Sequence, residues 1–121
     1  MNVLDASAIL AFLKGEAGAE PVRIALDAGA ACSAVNWSET AQKVLGGGGS
    51  WKLVAAGLSA YRLRVEVATL EDAERAAALW GARTNLSLGD RFCLALGERL
   101  DATVWTADRA WSGLPRVKLL R

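Results

Sequence analysis

The chain has 121 residues, of which 53% are hydrophobic and 22% charged, and none is histidine. Its length and apolar content predict a single domain, residues 1–121, with enough apolar side chains for one core. Fourteen basic and 13 acidic residues nearly cancel, which excludes a broad basic surface for nucleic acid but leaves room for a local basic rim. The lack of histidine excludes Ser-His-Asp and Cys-His mechanisms and histidine-based ribonuclease chemistry.

The N-terminal segment and the two cysteines bear on the cellular compartment. The sequence MNVLDASAILAFLK has no basic leader, and no apolar stretch approaches the roughly 20 residues that span a bilayer. Cys32 and Cys93 are far apart and lack paired spacing, which argues against a zinc site or a disulfide framework. We therefore expect a cytoplasmic protein with no membrane association.

In chain order, the first half alternates strands and helices. The apolar run NVL predicts a strand that ends before Asp5, and ASAILAFLK predicts the first helix. A second helix is predicted within EPVRIALDAG, because Pro21 suits a first turn and Gly29 a helix end. ACSAV predicts the second strand, and NWSETAQKVL predicts the helix after it.

Residues 46–50, GGGGS, have the sequence of a synthetic flexible linker. The segment is either an engineering scar or a natural mobile loop, and we favour the natural loop because the helices on either side read as parts of one domain. Both interpretations predict a flexible turn. A phosphate-binding loop is excluded because no G-K-[ST] follows the glycines.

The second half continues the alternation. Ser50 is predicted to cap a helix over WKLVAAGLSAY, and RLRVEVA predicts an edge strand with Leu63, Val65 and Val67 facing inward. TLEDAERAAALWGAR predicts the clearest helix, with Thr69 as its cap, and LGDRFCLALGERL predicts another. TVWT and VKLL predict two further strands. The sequence thus predicts an α/β fold with a mostly parallel central sheet of four to five short strands, flanked by helices on both faces.

Four carboxylates fall just past a predicted strand or in the first turn of the helix after it: Asp5, Glu39, Asp90 and Asp108. Each has a structural explanation as a helix-start or turn residue, since N-x-x-E and S-x-x-D before Glu39 and Asp90 have the spacing of a capping box. Helix starts that follow parallel strands share one edge of the sheet, where open α/β folds bind their ligands. The same placement therefore brings the four acids together.

Electrostatics predicts what such a cluster needs. Two carboxylates about 4 Å apart repel by roughly 4 kcal/mol at an effective dielectric of 20, and helix N-termini offset only about 0.3–1 kcal/mol each. Either the acids hold protons or a hard divalent cation sits among them. Oxygen-only ligands suit Mg²⁺ or Mn²⁺, and hydrolysis of a phosphodiester is the natural reaction of such a site.

Two pairs of polar residues are candidates for supporting roles. Ser7 and Thr106 either orient water or hold a carboxylate rotamer, or they are plain cap and turn hydroxyls. Arg91 and Arg109 each follow a candidate ligand directly, and they either clamp a substrate phosphate or are solvated helix-surface charges.

Four segments, taken together, resemble the PIN-domain ribonucleases, most closely the VapC-type toxins of bacterial toxin–antitoxin pairs. The segments are MNVLDASAIL, SAVNWSETAQKVL, LSLGDRFCLAL and TADRAW. The likeness covers nearly the whole chain in the expected order. By this resemblance Asp5, Glu39, Asp90 and Asp108 take the places of the family's acidic quartet, with Thr106 as a supporting polar group.

The resemblance implies a PIN-like three-layer α/β/α fold and a Mg²⁺- or Mn²⁺-dependent endoribonuclease, the toxin of a type II toxin–antitoxin system. Its substrate would be structured RNA such as transfer or ribosomal RNA, and its partners a cognate antitoxin and a second copy in a homodimer. Two alternatives stay open. One is a phosphohydrolase on a similar fold, against which the missing D-x-D after the first strand argues; the other is a catalytically inactive PIN-like module that binds protein.

Overall fold

The computed structural model of the chain describes residues 1–81 and 85–121. Its strands are β1 (Asn2–Leu4), β2 (Ala30–Ser33), β3 (Arg64–Glu66), β4 (Thr103–Thr106) and β5 (Val117–Leu119). Its helices are α1 (Ala6–Lys14), α2 (Ala19–Asp27), α3 (Ala34–Gly46), α4 (Trp51–Ala60), α5 (Leu70–Trp80), α6 (Leu88–Leu100) and a short 3₁₀ helix (Arg109–Trp111). In the part of the chain so described, no helix combines the length and the apolarity needed to cross a bilayer.

The strands form one sheet in the order β3-β2-β1-β4-β5, and every neighbouring pair is parallel. Parallel neighbours require crossover connections, which the helices supply. The chain moves outward from β1 in one direction to β2 and β3, and in the other direction to β4 and β5. The β1–β4 junction is therefore the topological switch point of the sheet, where folds of this kind bind ligands at the carboxyl ends of the strands. The predicted α/β class and the three-layer architecture are confirmed.

Helices cover both faces of the sheet. Successive residues of β1 point to opposite faces, so Leu4 packs in a cluster with α1 and α2, while Val3 packs with α6 and the 3₁₀ helix. Both side chains are fully buried. Buried side chains of α6, Cys93 and Leu96, pack in the same cluster as Val3 and Val104 of the central strands.

Most of the predicted elements are present with small shifts of their ends. The α6 prediction LGDRFCLALGERL matches the observed helix residue for residue. Helix α3 begins at Ala34, two residues before the predicted start, because Ser33 accepts a hydrogen bond from the Val35 N–H and caps it. The prediction for α5 extends to residues 82 and 83, which lie outside the described residues.

The prediction that the alternating residues of RLRVEVA face inward is wrong for two of them. Leu63 is buried, but Val65 is 41% and Val67 72% exposed. Strand β3 lies at the edge of the sheet and is paired on one side by β2. Period-two alternation identifies the two faces of a strand, but it does not determine whether a helix covers either face at that edge.

The glycine-rich segment forms a closed turn between α3 and α4. The N–H of Gly48 donates to Leu45 O at 3.0 Å and that of Gly49 to Val44 O at 2.9 Å, while Gly48 has a φ of 80°. This is the hydrogen-bonded end that a left-handed residue gives a helix. Ser50 then caps α4, as predicted. The segment predicted as a flexible turn is thus a turn with a defined backbone conformation.

Candidate functional site

Asp5 lies where β1 ends and α1 begins, at the switch point of the sheet. It is 5% exposed and is the N-cap of α1, where its Oδ1 accepts a hydrogen bond of 2.7 Å from the Ala8 N–H. The Ser7 hydroxyl donates to both carboxylate oxygens, at 2.7 and 2.9 Å. The capping prediction for Asp5 is correct, and the same local geometry leaves its carboxylate in the interior.

Thr106 joins the end of β4 to this carboxylate. Its hydroxyl is buried and donates to Asp5 Oδ2 at 2.5 Å, while it accepts from the Asp108 N–H at 3.0 Å. Ser7 completes the connection, because its Oγ accepts from the Ala107 N–H at 2.9 Å. The two hydroxyls predicted as supporting groups therefore hold Asp5 against the carboxyl end of β4.

Asp90 lies in the first turn of α6 and is electrostatically coupled to Asp5. The pKa of Asp5 is raised to about 6: burial and, to a smaller extent, the negative charge of Asp90 raise it, and they outweigh the hydrogen bonds from Thr106, Ser7 and Ala8, which lower it. Asp90 also forms the predicted capping box, since its Oδ2 accepts from the Ser87 N–H at 2.9 Å. Asp90 is thus both a helix-start residue and a neighbouring negative charge.

Glu39 reaches the same helix from α3. A side chain at Gly89, if one were present, would meet the Glu39 carboxylate at 2.5 to 2.6 Å, so that carboxylate lies against the backbone of the first turn of α6. Asn36 donates from Nδ2 to Glu39 Oε1 at 2.7 Å and to Gly89 O at 3.1 Å. The predicted capping box at Asn36 and Glu39 is wrong, because Ser33 is the cap and both residues are inside the helix.

The buried thiol of Cys93 interacts electrostatically with several of these charges. The pKa of Cys93 is raised well above its usual value, first by burial and then by electrostatic interaction with Asp5, the Cys32 thiol, Asp90 and Glu39. Cys32 and Cys93 are both buried free thiols. Three of the four predicted acids are therefore within electrostatic reach of one buried atom.

Asp108 is the most peripheral of the four. Its backbone N–H is tied to Thr106, but it is exposed and its Oδ1 accepts from the Ala110 N–H at 2.9 Å as the cap of the 3₁₀ helix. Within residues 1–81 and 85–121, no group of three or more Asp, Glu, Cys or His side chains is arranged to hold a metal ion as it stands. Asp5 and Asp108 follow β1 and β4, Asp90 is in the first turn of α6, and Glu39 lies against that turn from α3; each carboxylate has a hydrogen-bond partner from the protein.

The two arginines predicted to contact phosphate lie in different environments. Arg91 is partly buried and donates from Nη1 to Ala76 O at 2.9 Å, so its guanidinium is docked against α5. Arg109 is exposed and follows Asp108 directly. Arg91 is therefore not a solvated helix-surface charge, whereas the exposed Arg109 on the 3₁₀ helix fits that alternative. Contact with phosphate stays a prediction for both residues.

The donor chemistry of this edge fits a hard divalent cation. Among the ion pairs of the described residues, none uses Asp5, Glu39, Asp90 or Asp108. All four donors are carboxylates, and the buried Asn36 Oδ1 has no hydrogen-bond partner among the described residues. Oxygen ligands in a region with negative charge and no paired cation are what Mg²⁺ or Mn²⁺ requires.

Solved structures share this fold over nearly its whole length. A toxin–antitoxin complex from Klebsiella pneumoniae is 20% identical, with a TM-score of 0.82 over 100% of this chain and 98% of that chain. VapC20 of Mycobacterium tuberculosis, a toxin that cleaves the sarcin-ricin loop, is 20% identical with a TM-score of 0.70 over 95% of each chain. VapBC2 of Rickettsia felis, bound to a promoter DNA fragment, is 13% identical with a TM-score of 0.72 over 98% of this chain and 96% of that chain.

A sequence model of one family matches the chain almost from end to end, although no curated protein matches it. The matched residues are 3–117, and the family is the PIN domain. The match includes β1, β4 and all four candidate acids. The chain belongs to the PIN domain family.

Proposed function

We propose that this single-domain protein is a metal-dependent endoribonuclease that acts in the cytoplasm as the toxin of a type II toxin–antitoxin pair. The observation that carries the proposal is the state of Asp5. A carboxylate that is 5% exposed, with hydroxyl and N–H donors but no cationic partner among the described residues, lies at the switch point of the sheet beside Asp90. A carboxylate in this state favours binding of a cation.

Asp5, Glu39, Asp90 and Asp108 are the residues that would hold Mg²⁺ or Mn²⁺. When bound, such a cation supplies a hydrolytic nucleophile from water and offsets negative charge at phosphorus. Ser7 and Thr106 hold the Asp5 carboxylate in one orientation, because their hydroxyls donate to both of its oxygens. Arg109, exposed next to Asp108, is a candidate for contact with a substrate phosphate.

The similar structures support the choice of substrate and partner. One is of a toxin that cleaves the sarcin-ricin loop, which favours structured RNA, transfer or ribosomal, as the substrate here. Others are complexes of a toxin with its antitoxin, which favours a cognate antitoxin as partner. A homodimer of this chain completes the proposal. A phosphohydrolase and an inactive binding module are the alternatives that the experiment below separates.

The test is RNA cleavage by the purified protein with and without Mg²⁺ or Mn²⁺. Asp5→Asn and Asp90→Asn should each lower cleavage by about 10³-fold, which corresponds to about 4 kcal/mol of transition-state stabilisation. Both variants should stay folded, because asparagine at position 5 still caps α1 and an amide oxygen at position 90 can still accept from the Ser87 N–H. Asp27→Asn is the matched control, since Asp27 is an exposed acid paired with Arg23. This variant should cleave RNA like the wild type.

Two results would contradict the proposal. If both site variants cleave as fast per folded molecule as the wild type, the acids are helix caps only. If the wild-type protein binds Mn²⁺ but cleaves neither RNA nor a phosphomonoester, the inactive binding module is the better description.

A further inference from the structure

The amide of Asn36 connects two elements that carry candidate ligands. Asn36 is 1% exposed, and its Nδ2 donates both to Glu39 Oε1 at 2.7 Å and to Gly89 O at 3.1 Å, across 53 residues of sequence. Both partners are acceptors, so the nitrogen faces them and the reversed amide would bring oxygen against oxygen. One side chain therefore fastens the first turns of α3 and α6 to each other.

The amide oxygen shows that this arrangement is not the best one for stability alone. Asn36 Oδ1 is buried with no hydrogen-bond partner among the described residues. An apolar side chain of the same shape would avoid an unpaired polar atom in the interior. The benefit of an asparagine at this position therefore lies in what its nitrogen holds.

Gly89 supplies the second half of the arrangement. A Cβ at this position would lie 2.5 Å from Glu39 Oε2 and 2.6 Å from Oε1, closer than atoms can approach. The glycine is not needed for its backbone, because its φ is not in the left-handed region. The missing side chain leaves room for the Glu39 carboxylate against α6, one residue before Asp90.

We propose that Asn36 and Gly89 are positioning residues that set where the Glu39 carboxylate lies relative to Asp90. Asn36 holds the carboxylate by a hydrogen bond, and Gly89 gives it space. The inference rests on the proposed function for its catalytic consequence, but the placement of Glu39 can be measured in the metal-free protein. Residues of this kind, which touch a ligand rather than the metal, change metal affinity or activity by about 10–100-fold when they are replaced.

Gly89→Ala separates positioning from stability. The atoms that the new methyl group displaces are the far end of a flexible side chain, and alanine favours a helix over glycine, so the midpoint of unfolding should be equal or higher. Affinity for Mn²⁺ and RNA cleavage should each fall about 10-fold or more. The control is Gly57→Ala in α4, where a Cβ meets no atom within 4 Å. Gly57→Ala should change neither the affinity for Mn²⁺ nor RNA cleavage.

Asn36→Leu tests the hydrogen bond. Its matched control is Thr40→Val, which replaces a fully buried hydroxyl of the same helix whose hydrogen bond goes to Asn36 O at 2.8 Å and not to the Glu39 or Asp90 carboxylate. Each change removes a buried hydrogen bond, and the midpoint of unfolding, measured for both variants, separates that effect from the effect on metal binding. Only Asn36→Leu should also weaken Mn²⁺ binding, and it should shift the carboxyl ¹³C resonance of Glu39 in the metal-free protein.

A double-mutant comparison decides whether Gly89 acts through Glu39. In a Glu39→Ala background the new methyl group has no carboxylate to displace, so Gly89→Ala should cause no further loss of Mn²⁺ affinity. A full additional loss would overturn the inference. So would an unchanged Glu39 carboxyl resonance in both Gly89→Ala and Asn36→Leu.

These outcomes are distinct from failure of the proposed function. Wild-type protein that cleaves no RNA refutes the nuclease, while the resonance of Glu39 in metal-free protein still decides its positioning. Wild-type protein that cleaves RNA, with both variants equally active and Mn²⁺ binding unchanged, refutes the positioning role and leaves the nuclease in place.

Discussion

The two ends of helix α6 each face a buried aspartate from another element, and the two aspartates are treated differently. Asp5 faces the first turn and is 5% exposed; Asp72 of α5 faces the last turn and is 3% exposed. Both accept helix-start hydrogen bonds, from the Ala8 N–H and the Thr69 N–H. Among the described residues only Asp72 has a guanidinium partner, since Arg99 donates to its two oxygens at 2.9 and 3.1 Å.

As a result, the pKa of Asp72 is lowered and the pKa of Asp5 is raised. Burial raises the pKa of Asp72, but the hydrogen bonds from Arg99 and Thr69 outweigh it and hold the pKa below its usual value. At Asp5 burial prevails and the pKa rises to about 6. The buried carboxylate of Asp72, which is not a candidate ligand, is thus neutralised by an arginine of the protein. At the carboxyl edge of the sheet a similar carboxylate has no cationic partner among the described residues, which supports the proposed cation site.

The largest expected difference between the two aspartates is in how the free energy of unfolding of the metal-free protein depends on pH. Asp5 has a folded pKa of about 6 against an ordinary 3.8, so the folded state binds the extra proton between these values. The free energy of unfolding should then fall by up to about 3 kcal/mol as pH rises from about 4 to about 6, and stay low above that. Asp5→Asn should remove this fall and be the more stable protein at pH 7.

Urea unfolding of both proteins from pH 4 to 7.5, in the presence of a chelator, measures the difference directly. Other acids titrate alike in the two proteins, so the difference between the two curves reports Asp5 alone. Parallel curves would mean that Asp5 is not held in the interior as described.

The next largest effect should come from removing the cation at the other end of α6. Arg99→Met keeps most of the aliphatic side chain but leaves Asp72 without its charged donor, which should cost about 2 kcal/mol of unfolding free energy. Asp90 and Arg99 are nine residues apart on one helix, about 14 Å. RNA cleavage per folded molecule should therefore be unchanged, and a loss of cleavage without a loss of stability would break the comparison.

A smaller effect is expected at Ser7, which donates to both oxygens of Asp5 and accepts from the Ala107 N–H. Ser7→Ala should lower the free energy of unfolding by about 1 kcal/mol and raise the pKa of Asp5 further, because a donor to the charged form is lost. Titration of the Asp5 carboxyl carbon by NMR in the metal-free protein measures this shift. An unchanged midpoint would show that Thr106 and Ala8 alone set the pKa.

The sequence was sufficient where structure follows from neighbours in the chain. Helix α6 was predicted with its observed ends, because Ser87 and Asp90 form a capping box within four residues. Asp5 was predicted as a cap at a strand end for the same local reason. Its role as an edge acid followed from the rule that parallel strands end together.

The sequence was insufficient where the partner is distant. The N-x-x-E spacing of Asn36 and Glu39 fits a capping box, and it cannot reveal a hydrogen bond from Asn36 to a backbone atom 53 residues away. The signal that was available is Ser33, a better cap three residues earlier than Asn36. Alternation likewise predicted a buried Val67, whose exposure depends on whether another element covers an edge strand.

The hydrogen bond between Thr106 and Asp5 joins positions 101 residues apart. During synthesis on the ribosome, Asp5 is made early, and β4 is the later of the two strands that flank β1. A growing chain that has not yet reached residue 106 lacks this contact, and only the local donors Ser7 and Ala8 are available to the Asp5 carboxylate. Most of the chain is therefore synthesised before the candidate nuclease centre can be assembled.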